Sequence, residues 1–149
     1  MTKSKLKLTS PAFADNGLMP KKYSGYGEEI SPPLLVDILP KATQSLVVKM
    51  VDLSVPFFKL THWIIWDLPP INFIEENTAL GVTGRNSIGK IGYMGPKPPF
   101  SSHKYLFRIY ALDIILGLDA DNTQKTVFKA MANHILAQGE LTGLYHKCP

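Results

Sequence analysis

Cysteine occurs once in this 149-residue chain, at Cys148, so no disulfide framework can hold the fold together. That lone thiol, one residue from the end, reads as an incidental side chain rather than a nucleophile. Long apolar runs are also missing: nowhere do the roughly 18 apolar residues of a membrane span follow one another. The start, MTKSKLKLTSP, has lysines without the apolar stretch of a secretory signal. These absences predict cytoplasmic residence and no stable membrane insertion.

Charge is scarce too, at 19% of residues against 45% hydrophobic, which excludes a disordered chain and predicts one domain over residues 1–149. The formal net charge of +4 suggests nucleic acid until it is located. Lys3, Lys5, Lys7, Lys21 and Lys22, set against Asp15 alone, account for all of it, and the rest of the chain is neutral. No basic face with interleaved aromatics forms, so nucleic-acid binding is not expected.

The 12 Pro and 11 Gly cut the chain into short segments, the pattern of a mainly β domain. We expect an antiparallel, Greek-key-like β-sandwich with one or two short helices. Runs rich in β-branched and aromatic residues predict strands at Ser45–Asp52, His62–Leu68 and Lys104–Leu112, with shorter ones at Leu6–Leu8 and Glu140–Tyr145. A helix capped by Asn122 or Thr123 is predicted through Val127, Phe128, Met131 and Ile135, with Gly139 past its end. The segments 11–33 and 81–103 read as long surface loops, where sites concentrate.

Side chains alternate faces along a strand, so parity sorts them. Leu46, Val48 and Met50 share a face with Asp52; His62 shares one with Ile64, Trp66 and Leu68, while Trp63, Ile65 and Asp67 point away, under a second sheet or into a dimer interface. His103 shares parity with Tyr105, Phe107, Ile109 and Ala111. If the three strands pair antiparallel, Asp52, His62 and His103 gather at one rim of an apolar core. Before His103, GYMGPKPPF begins a stiff turn in which Gly95 lets backbone approach a ligand and donate its amide to an anion, while Pro96 presets the loop. The same logic reads Ser31-Pro32-Pro33 as scaffold, and His134 and His146 as structural or solvated.

LTSPAF (8–13), GEEISPPL (27–34), THWIIWDLP (61–69), GRNSIGKIGYMGPKPP (84–99), HKYLFRIYALD (103–113) and HILAQGEL (134–141), in that order, resemble the blocks of the phosphatidylethanolamine-binding protein (PEBP) family. The likeness is closest to its bacterial and archaeal Raf-kinase-inhibitor-like branch of the YbhB/YbcL type. The resemblance implies a β-sandwich with an anion pocket formed by Asp52, His62, Gly95 with Pro96, and His103, walled by Pro56 and Tyr105. The family's DPDAP-like segment is here Asp52-Leu53-Ser54-Val55-Pro56, its HRY-like segment is His103-Lys104-Tyr105, and a DGEN-like segment is Tyr26-Gly27-Glu28-Glu29.

The expected function is therefore non-enzymatic binding of a small anionic ligand, phosphate or a phosphorylated head group or side chain, without cofactor or metal. The resemblance also suggests a homodimer and modulation of a protein partner such as a kinase or protease. The alternative is a hydrolase that uses the Asp52, His62 and His103 rim with a metal or with Ser54 as nucleophile.

Overall fold

The computed structural model describes residues 4–56 and 58–147, so Cys148 lies outside the described residues. Strands are β1 (Ser4–Lys5), β2 (Leu8–Thr9), β3 (Gly17–Leu18), β4 (Leu34–Val36), β5 (Ser45–Asp52), β6 (Leu60–Leu68), β7 (Phe73–Ile74), β8 (Val82–Thr83), β9 (His103–Leu112) and β10 (Ile135–Tyr145). Helix α1 spans Gln124–Met131, and a single 3-10 turn spans Lys21–Tyr23. The large sheet has seven strands in the order β1-β10-β9-β5-β6-β8, with β3 also against β10; β2, β4 and β7 form a second, three-stranded sheet. Both sheets are open, and the expectation of a mainly β sandwich holds.

All eight residues of β5 are buried, as befits a central strand covered on both faces. One face carries Leu46, Val48 and Met50 into the main core, where Leu34, Val36 and Ile74 of the small sheet meet them. The other turns Val47 into a second core with Ile64, Trp66, Tyr110 and Leu112, covered by Val127 and Met131 of α1. Lys49 shares that outer face with its Nζ 4.4 Å from the centre of the Phe128 ring, and burial pushes its ammonium down to about 8.

Several sequence expectations need correction. Trp63 and Ile65 face the main core, not outward, whereas Ile64 and Trp66 lie under α1. The first of two β-bulges in β6 causes this reversal, and the second turns Leu68 into the main core. Thr61 faces Val51 and Trp63 faces Met50, which leaves His62 as the extra residue; Ile65 faces Val48 and Leu68 faces Leu46, which shifts the register again. At the second shift Asp67 takes φ +53°, and its carboxylate accepts the Leu116 and Gly117 amides at 2.8 and 2.9 Å, tying down the loop over the outer core.

The helix is also shorter than predicted. Ala132 leaves helical geometry and Asn133 adopts φ +68°, so Ile135 opens β10, His134 lies off the helix, and the strand predicted at Glu140–Tyr145 runs eleven residues. Spacings of three and four up to Ile135 hid that boundary. Gly139 does lie past the helix end, but in mid-strand, where the N-terminal segment crosses: a methyl group on it would lie 2.2 Å from the Leu6 carbonyl oxygen.

The predicted Leu6–Leu8 strand is split. Ser4–Lys5 pairs with β10 in the large sheet, Leu6 donates its amide to Gln138, and Leu8–Thr9 crosses to β4 in the small sheet. Nor is the large sheet wholly antiparallel, since β1 and β3 both run parallel to β10. The ladder that positions the site, β6-β5-β9-β10, is antiparallel as expected.

Candidate functional site

Asp52 closes β5 opposite Tyr105, and His103 opens β9 opposite Tyr145, so both sit at one end of the main core. The Asp52 carboxylate is buried, and it is satisfied twice: Oδ2 receives His103 Nδ1 at 2.7 Å and Oδ1 receives the Ser54 amide at 2.8 Å. The segment after Asp52 is pinned to β9, with the Leu53 amide donating to the Lys104 carbonyl at 2.8 Å and the Lys104 amide to Ser54 Oγ at 2.9 Å. Ser54 thus fastens this turn. Its hydroxyl makes no hydrogen bond to either imidazole among the described residues.

His62 reaches the same rim through the first bulge, not through parity. Doubling two residues against one partner brings His62 beside Trp63 on the core side, where its ring meets the Tyr105 ring edge-on at 5.2 Å. The Tyr105 ring also lies 6.3 Å from that of His103, so the tyrosine spaces the two imidazoles. Burial, then the charge of Asp52, pushes its phenol well up, which keeps its proton in place.

His62 Nδ1 donates to the Met94 carbonyl at 2.7 Å, while the Met94 amide donates to the His62 carbonyl at 2.9 Å. The ring is thereby oriented, and Nε2, on its opposite side, is buried without a hydrogen-bond partner among the described residues. Burial lowers the His62 pKa below the ordinary 6.5, against smaller opposing effects of the Met94 carbonyl and the Asp52 charge. The unfolded chain therefore takes up this proton first, and stability should fall as pH drops through 6.5 toward the lowered value. Urea unfolding of wild type and His62→Gln between about pH 7 and 5 checks this. The wild type should lose midpoint more steeply, whereas equal slopes would show that the fold does not hold His62 neutral.

Gly95 completes the rim as a close approach. A methyl group there would stand 2.6 Å from the Tyr23 carbonyl oxygen and 2.9 Å from the Gly25 nitrogen, so only glycine fits. Its amide donates to Glu29 Oε2 at 3.2 Å. Pro96 is buried behind it, accepting the Gly25 amide on its carbonyl at 2.8 Å, and does not line the cavity. Pro56 is exposed and outside the lining as well, where Val55 takes the wall position.

Together these groups bound a cavity of about 400 Å³. Asp52, His62, Gly95, His103 and Tyr105 line its polar end; Val55, Leu60, Ile88, Pro98 and Pro99 form apolar walls. Two charged lining residues, Glu29 and Lys97, were not selected from the sequence. Glu29 belongs to the segment that departs from the family pattern, which was the available signal. Among the described residues, no three His, Cys, Asp or Glu side chains converge in an arrangement that could hold a metal ion.

The family model for phosphatidylethanolamine-binding protein matches residues 9–146. A UPF0098 protein of Methanothermobacter thermautotrophicus is 39% identical over 95% of this chain and 99% of its own. One from Archaeoglobus fulgidus is 41% identical over 91% of this chain, which spans only 50% of that relative's length. The crystal structure of a PEBP homolog from Chlamydia trachomatis superimposes with a TM-score of 0.92 at 38% identity, covering 98% of this chain and 100% of that one. E. coli YbcL, at 22% identity, shares the fold with a TM-score of 0.86 over 97% of this chain and 100% of its own. With its family blocks in order and its fold superimposing end to end on a homolog's, this chain belongs to the phosphatidylethanolamine-binding protein family.

Proposed function

We propose that the cavity binds a small anionic group, inorganic phosphate or the phosphoryl end of a head group or side chain, without chemical conversion. One observation carries the reading: the buried, unpartnered His62 Nε2 lines the same cavity as the Asp52–His103 pair and the Gly95 amide. The rim offers donors on several sides, and Asp52 holds the His103 ring by Nδ1 so that its Nε2 is left for a ligand. The apolar walls suit the carbon chain of a phosphorylated ligand. No specific observation favours the hydrolase alternative: the Ser54 hydroxyl accepts the Lys104 amide and makes no hydrogen bond to either imidazole among the described residues.

Protonation should govern this binding. Neutral His62, with Nδ1–H on Met94, presents a lone pair at Nε2 that repels a phosphate dianion; as imidazolium it presents a donor. Anion binding therefore takes up a proton, and affinity should rise between about pH 8 and 5. The test is an NMR titration with phosphate and O-phosphorylethanolamine, following the His62 and His103 ring signals. Saturable shifts in wild type that vanish in His103→Ala support the reading. No shift at millimolar ligand would move the function to a protein-interaction module, and a pH-independent affinity would exclude the histidine mechanism.

A further inference from the structure

The amide of Gly95, a residue that lines the cavity, is already engaged by Glu29. Glu29 holds φ +57°, and its own amide donates to the Lys22 carbonyl at 3.0 Å, which sets the root of the side chain. Its carboxylate is otherwise loosely kept. The residue is exposed, the 3.2 Å bond to Gly95 is long, and among the described residues no ion pair involves it. Asp52, the other carboxylate of the cavity, is tied by two hydrogen bonds.

Glu29 also borders a second cavity of about 240 Å³, whose lining includes Ser31, Asn77, Thr78 and Thr83. Those groups offer the displaced carboxylate a polar destination. We propose that Glu29 is an intramolecular competitor for the anion site: it caps the Gly95 amide until a phosphoryl group displaces it toward the adjoining cavity. The inference rests on the anion-binding reading and adds selectivity to it. A simple carboxylate ligand replaces one carboxylate with another and gains little. A phosphoryl group, with more acceptor oxygens and charge, reaches the two histidines as well as Gly95 and outcompetes Glu29.

The experiment measures the affinity of inorganic phosphate and of acetate for wild type, Glu29→Asn and Glu29→Gln, with the Gly95 amide followed by NMR. Asn tolerates the left-handed backbone and is too short to cap Gly95 in the same way; Gln keeps the length and loses the charge. Phosphate should bind roughly ten-fold tighter to Glu29→Asn, acetate should become detectable, and Glu29→Gln should fall between. The Gly95 amide should shift in Glu29→Asn without ligand and in wild type on adding phosphate. Wild-type phosphate binding with unchanged affinity in both variants overturns the competitor and leaves the anion site standing. Absence of phosphate binding in all three proteins overturns both.

Discussion

Trp66→Ala is expected to cost about 3–5 kcal/mol, because the indole is fully buried and the outer core closes around it only imperfectly when it is removed. Its Nε1 donates to the Leu118 carbonyl at 3.0 Å, so truncation also strips a partner from the 114–118 segment that packs with α1 over the large sheet. For a chain of this size the melting temperature should fall by roughly 10 °C or more. Trp66 faces the second core, away from the cavity, so phosphate affinity measured where the variant is folded should match wild type. Urea unfolding and a phosphate titration on the same sample check both parts. A loss under about 1 kcal/mol would mean that the helical layer is not bound to the sheet through this residue.

Gly95→Ala is expected to damage stability and binding together. The added methyl group meets Tyr23 O at 2.6 Å, Ser24 C at 2.8 Å and Gly25 N at 2.9 Å, all backbone atoms that no rotamer change can clear. Relief requires the Gly95 turn to move off the 23–25 segment, stretching the Gly25–Pro96 hydrogen bond, at a cost of about 2–3 kcal/mol. The same movement draws the Gly95 amide from the cavity and tilts Met94, which orients His62. Phosphate affinity should drop roughly ten-fold or more, the worth of one charge-assisted hydrogen bond. Melting and titration read the two effects separately, and wild-type values for both would show that the turn is not the rigid wall inferred from its packing.

Much of this site was legible without coordinates. Asp52 and His103 lie where parity and antiparallel pairing put them, since β5 and β9 run in uninterrupted register from Ser45–Leu112 to Asp52–Tyr105. His62 reached the same rim for a different reason. Simple alternation puts it with Ile64 and Trp66, which face the other core, and a bulge against Met50 and Val51 brings it back. A bulge is a count of two residues against one on a neighbouring strand, so no property of β6 alone announces it.

What the sequence determined by itself is what local chemistry encodes: a mainly β chain, three long strands with apolar faces, and an ionisable residue near one end of each. It also carried the ordered blocks that mark the family. Tertiary structure decided the rest. It placed Trp63 inside, ended α1 before Ile135, turned Gly139 into a point of close approach, and put Glu29 on the Gly95 amide. Each of these depends on the distance between segments remote in the chain. Periodicity and propensity act over a few neighbouring residues, whereas bulges, close backbone approaches and cavity walls are fixed only when strands pair and pack.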